Sequence, residues 1–134
     1  MDRHRYLRAY MGGIALPTML LLVVMSAFAV ARFHYHVPVL IERAIIFPMA
    51  VIPNLWGVWN MLYVFLKDYF PLPIGLHGAA LVILIALIGS GVAKLLGVGF
   101  PPPPALFGPL AALVGYYLAW KYVVGFLNRI LEIG

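Results

Sequence analysis

A chain of 134 residues that is 65% hydrophobic and only 10% charged lies far from soluble domains, which run about 45–50% apolar and about 25% charged. A globule this small cannot hide so much apolar surface from water. The composition therefore excludes an ordinary soluble domain, a disordered chain and a reader of nucleic acid, and the solvent is lipid. The net charge of +5 comes from basic residues at the ends of apolar runs, where they set topology and meet anionic lipid. The chain has no cysteine, so disulfides, thiolate metal sites and cysteine nucleophiles are ruled out.

The charges cut the chain into four uncharged runs: 9–31, 44–66, 69–93 and 95–120. Each reaches the roughly 20 residues that a helix needs to cross a hydrocarbon core of about 30 Å. Backbone groups in lipid must be satisfied internally, which makes the runs helices; they lack the alternation of a membrane β-strand. The expected fold is an all-α integral membrane protein, a compact bundle of four transmembrane helices in a single domain over 1–134, with spans at about 9–31, 44–66, 74–93 and 105–127.

The first span follows Arg3, Arg5 and Arg8 and ends near Ala27-Phe28-Ala29 and Ala29-Val30-Ala31. A basic start, an apolar stretch and A-x-A sites also describe a cleaved signal peptide. The uncharged run is longer than a signal peptide's apolar region, so an uncleaved anchor is the preferred reading. After it, Arg32-Phe33-His34-Tyr35-His36-Val37-Pro38 sets two histidines on one side of an extended segment. Glu42 follows. His34 and His36 are weak metal candidates, because zinc sites use three or four protein ligands; the plainer reading is a hydrated interfacial loop.

Pro48 and Pro53 fall inside the second run. Each removes a helical hydrogen bond and crowds the preceding turn, which predicts a helix kinked or broken there. Beyond Pro53, Trp56, Trp59, Asn60, Tyr63 and Lys67 share one helical face at about 100° per residue. Pro71 and Pro73 start the third helix near Ile74, so His77 falls in its first turn, close to Lys67. Trp56, Asn60, Tyr63, Lys67 and His77 are the candidate ligand-binding residues, a polar patch at the second hairpin suited to an anionic headgroup. The competing reading is an aromatic belt with hydrogen bonds between helices.

Small residues line two helices: Gly75, Ala79, Ala86 and Gly89 on the third, and Gly108, Ala112, Gly115 and Ala119 on the fourth. Small residues let helix backbones approach in lipid, so the stripes predict a close seam within an antiparallel hairpin, with a homodimer face as the alternative. Between these helices, Pro101 to Pro104 form a stiff spacer.

All four acids, Asp2, Glu42, Asp68 and Glu132, lie outside the expected spans. A coupled transporter or a proton relay is therefore disfavoured, and His77 has no carboxylate to orient it as a base. Ser26 and Ser90 are expected to bond to their own helix backbone. No nucleotide, metalloprotease or catalytic-triad pattern occurs, and no cofactor is expected. With four spans, Arg3, Arg5, Arg8, Lys67, Lys121 and Arg129 share a side against Arg32, Arg43 and Lys94, which places both termini in the cytoplasm, in a bacterial inner membrane. The expected function is non-enzymatic: an accessory subunit of a membrane complex. The alternative is a small lipid- or solute-handling protein. The expected partners are the bilayer and its anionic lipids, with a membrane protein or a second copy as possible company and no nucleic acid.

Overall fold

A computed structural model describes residues 4–36, 42–95, 97 and 107–133, with the backbone alone for 42–50, 92–93 and 107. The described chain is helical: α1 (Arg5–Phe33), α2 (Glu42–Leu66), α3 (Ile74–Leu95), and a fourth helix built from α4 (Phe107–Leu118), a π-helical segment (Ala119–Val124) and α5 (Gly125–Ile130). Three stretches are long and apolar enough to cross a membrane: Arg5–Phe33, Ile74–Gly91 and Gly108–Ile130. Val51–Leu66 is apolar but shorter. The Pro101–Pro104 spacer and the expected helix start at Ala105 lie outside the described residues.

α1 begins four residues earlier than the first uncharged run. Its arginines find acceptors across the bundle instead of ending the helix: Arg5 donates to the Val64 carbonyl at 3.4 Å and Arg8 to the Leu131 carbonyl at 3.1 Å. α2 is one helix from Glu42 to Leu66, not two halves. Pro48 and Pro53 each delete one rung of the hydrogen-bond ladder, and the remaining rungs hold the helical path in a medium that offers no other partner. α3 starts at Ile74, directly after the two prolines, with the His77 amide bonded to the Pro73 carbonyl at 3.2 Å.

The π segment is the local feature that no sequence pattern announced. In it the Gly125 amide bonds the Trp120 carbonyl, five residues back. Residues spaced by four drift by about 40° in an α-helix, because a turn takes 3.6 residues. One wider turn offsets that drift, and Trp120, Val124 and Asn128 are all buried. The helix then closes in a Schellman turn. The Ile133 amide reaches the Asn128 carbonyl at 2.9 Å and the Glu132 amide the Arg129 carbonyl at 3.1 Å. Glu132 takes the left-handed conformation (φ 53°) that usually falls to glycine. Burial of Ile133 with Ala9 and Val64 holds the turn shut.

The helices pair as α1 with α2 and α3 with the fourth helix, while α2 and α3 stand further apart and meet through side chains. The core is gathered at one end, around Trp56, Leu81, Trp120 and Val124 and around Ala9, Val64 and Ile133. At the other end, Leu20, Leu22, Val23, Leu87, Leu110 and Val114 are exposed. Among the described residues the expected compact bundle is thus tightly packed at one end.

The small-residue seam also moves. A Cβ placed on Gly89, Gly108 or Gly115 would meet nothing within 4 Å. Ala86 is exposed, while Ala79, Ala112 and Ala119 are half-buried. The α3–fourth-helix contact runs through Gly75, a member of the expected stripe, which receives the Tyr117 ring, and through Gly78, outside it, which receives Trp120. Large aromatic rings fit against glycines there, so bulk on one helix answers its absence on the other. The closest backbone approach belongs to the first hairpin, where a Cβ on Gly13 would lie 2.5 Å from the Trp56 carbonyl oxygen and 2.8 Å from the Gly57 Cα.

That geometry sets a comparison. Gly13→Ala forces backbone apart and should destabilise the protein by about 1–3 kcal/mol, the usual cost of overpacking. Gly115→Ala, in open space, should leave the thermal midpoint in detergent unchanged. Equal losses in the two variants would contradict the packing described.

Candidate functional site

Five side chains lead the sequence-derived site, and the structure places each of them at the packed end. Trp56 and Asn60 are buried, at 3% and 0% exposure, and His77 is buried at 5%. Tyr63 and Lys67 are half-buried. They do not converge on one opening. Most are bonded to other parts of the bundle.

Asn60 donates both amide hydrogens, to the Ala9 carbonyl at 2.7 Å and to Asn128 Oδ1 at 2.8 Å, and accepts from Asn128 Nδ2 at 2.9 Å. This reciprocal amide pair lies in the interior and joins α2 to α5, with α1 as the third member. Trp59 and His77 form a second reciprocal pair. The indole Nε1 donates to the His77 carbonyl at 2.8 Å, and His77 Nε2 donates to the Trp59 carbonyl at 3.0 Å. Donation from Nε2 fixes the neutral ring as the Nε2–H tautomer. The two rings stack at 4.9 Å, and Tyr63 lies 5.3 Å from His77.

Lys67 donates to the Ile133 carbonyl at 2.8 Å. With Arg8 on Leu131, it caps carbonyls that the end of the fourth helix leaves without helical partners. Cations at a helix C-terminus also meet its negative dipole end. Lys67 therefore tethers the chain's end. Arg5 adds a contact to Asp68 at 3.5 Å; both side chains are partly exposed, and such pairs contribute little.

Trp56 packs against Tyr116 at 4.8 Å and Trp120 at 5.5 Å. The indole N–H groups of Trp56 and Trp120 are buried without an acceptor. Ser26 and Ser90 donate to the carbonyls of Leu22 and Leu87 in their own helices, as their positions predicted. His36 approaches the His34 carbonyl at 3.3 Å, and the His34 ring lies edge-on to Tyr35. Among the described residues no group of three or more histidine or acidic side chains stands together.

A cavity of about 280 Å³ opens beside this network, lined by Tyr63, Ile74, Lys121, Gly125, Asn128 and Arg129. Tyr63 is the one member that the sequence reading had proposed as a ligand residue. Lys121, Gly125 and Arg129 are spaced by four, and Gly125 leaves room between the two cations. Lys121 Nζ stands 5.7 Å from the Tyr117 ring centre and 5.3 Å from that of Tyr122. Arg129 Nε reaches back to the Gly125 carbonyl at 3.4 Å. A K-x3-G-x3-R spacing was readable in the sequence. The expected span ends near residue 127, which leaves Asn128 and Arg129 beyond the membrane and not in its packing.

No family model, no curated protein and no solved structure matches this chain.

The amide pair yields a double-mutant cycle. Asn60→Leu strands the Asn128 amide in the interior and should cost about 1–3 kcal/mol, the penalty for a buried polar group without its partner. Combining it with Asn128→Leu should recover part of that loss. Additive losses in detergent melts would mean that the two side chains act independently.

Proposed function

We propose that this chain is a non-enzymatic four-span membrane protein of a bacterial inner membrane, with both termini cytoplasmic, and that it serves as an accessory subunit of a larger membrane complex. The helical composition and the three apolar stretches support the membrane assignment. α2, at 25 residues, is long enough to be the fourth span. The polar side chains that a catalytic reading would use support the non-enzymatic part: Asn60, Trp59, His77 and Lys67 are all committed to tying helices together.

The observation that carries the subunit reading is the open face of α4. A Cβ added at Gly108 or Gly115 would meet nothing within 4 Å, and Leu110, Val114 and Leu118 stand exposed around them. Small residues on a lipid-facing helix let another helix come close. Purification in a mild detergent tests this. A stoichiometric membrane protein should co-purify, and Gly115→Leu should remove it without moving the thermal midpoint of the isolated chain. Recovery of the same partner with Gly115→Leu would reject α4 as the contact.

A second reading, the handling of anionic lipid at the second hairpin, is favoured by the cavity between Lys121 and Arg129. Topology bears on both readings. A reporter fused after Gly134 should be active only in the cytoplasm, and periplasmic activity would overturn the orientation.

A further inference from the structure

We infer that the cavity lined by Tyr63, Ile74, Lys121, Gly125, Asn128 and Arg129 is a binding site for the phosphate of an anionic lipid headgroup. The inference rests on the lipid-handling reading and is independent of the subunit reading.

The argument begins with Lys121. It sits inside the apolar stretch Gly108–Ile130, nine positions before its end, or about 14 Å at the rise of an α-helix. A charge at that depth is costly unless it has a partner or reaches the interface. Among the described residues no carboxylate lies within ion-pair distance of Lys121 or Arg129; the ion pair found joins Arg5 to Asp68. The neighbours of Lys121 are the faces of Tyr117 and Tyr122. These rings shield the aliphatic stem and hold the ammonium by cation–π attraction, but they do not neutralise it.

An anion from outside the chain would supply what these rings do not, and three features describe it. Two cations flank the cavity, which suits a phosphate better than a neutral donor. Arg129 is folded back towards Gly125, so its side chain turns along the helix towards Lys121. The phenol of Tyr63 adds a hydrogen-bonding group to a wall that Ile74 makes apolar and that Asn128, held in the amide pair, closes. A phosphate carrying acyl chains fits such a mixed lining at the end of a span, where headgroups lie. Gly125 keeps the space open. A Cβ there would meet the Trp120 carbonyl oxygen at 3.4 Å and Ile74 at 3.7 Å, so the backbone tolerates a small side chain that would fill the cavity.

The test uses the full chain in phosphatidylcholine nanodiscs containing a minority of phosphatidylglycerol, extracted into a neutral detergent. Native mass spectrometry then counts phosphatidylglycerol per chain. The wild type should retain it in preference to phosphatidylcholine. Lys121→Gln and Arg129→Gln should each lower retention by roughly fivefold, the size expected for one basic residue near an anionic surface. Gly125→Val should lower it with both charges in place. Lys121→Arg and the distant Lys94→Gln should retain it. Thermal midpoints identify any variant that fails to fold, and Gly125→Val and Lys121→Arg then decide between them.

Normal retention by Lys121→Gln and Gly125→Val, or loss in Lys67→Gln alone, would move the headgroup to another place and overturn this site while leaving the lipid-handling reading intact. No preference for phosphatidylglycerol in the wild type would overturn both. Displacement of the lipid by inorganic phosphate at equal concentration would assign the site to a soluble phosphate and overturn the lipid source.

Discussion

The structure depends on one exchange of hydrogen bonds, the amide pair between Asn60 and Asn128. The most extensive packing is within two hairpins, α1 with α2 and α3 with the fourth helix; between them Trp56 meets Leu81 and Trp120, but in lipid there is little hydrophobic force to make such a contact specific. Two amides that each supply the other's missing partner provide a directional reason to associate. With Asn60 also bonded to the Ala9 carbonyl, the pair fixes three helices at one depth. Separating the hairpins would leave two buried amides unsatisfied in a medium without water, which is why the join is specific and not merely adhesive.

Everything else at that end reinforces the same join. The π segment brings Trp120 and Asn128 onto the inner side. The Schellman turn then reverses the chain so that the Leu131 and Ile133 carbonyls meet Arg8 and Lys67, one from each helix of the first hairpin. The left-handed Glu132 is an unfavourable conformation for a residue with a side chain. It is tolerated because its turn places Ile133 among Ala9 and Val64. At the far end the apolar side chains of the described residues stay exposed.

Segmentation was legible because charges and prolines are one-dimensional signals. Lys67, Pro71 and Pro73 mark helix ends whatever the fold, and α3 begins where they say, whereas Arg8 lies inside α1 because its charge finds a carbonyl across the bundle. The inward position of Trp56 and Asn60 was legible too, since an amide in an apolar run seeks the interior of a bundle. The seam was not. Small residues at helical spacing tell which faces could come close, but not which do. Gly13 and Gly57 serve a backbone crossing, Gly75 and Gly78 receive rings, and Gly108 and Gly115 meet open space. Nor could the role of Lys67 be read, because its acceptor is a carbonyl 66 residues away, created by a turn that no glycine announces.

The division of roles around the fourth helix follows from one register. Asn128 points into the amide pair while its neighbour Arg129 remains exposed. Trp120 fills the core while Lys121 lies against the rings of half-buried Tyr117 and exposed Tyr122. The inner positions are thus set by packing, and the outer ones carry charge that packing does not use. A cation beside a core position is expensive for a membrane helix to keep, and shifting Lys121 or Arg129 back by one residue would place it at the indole or in the amide pair. Holding Trp120, Val124 and Asn128 on the inner side leaves Lys121, Gly125 and Arg129 on the next one, where they flank an open cavity.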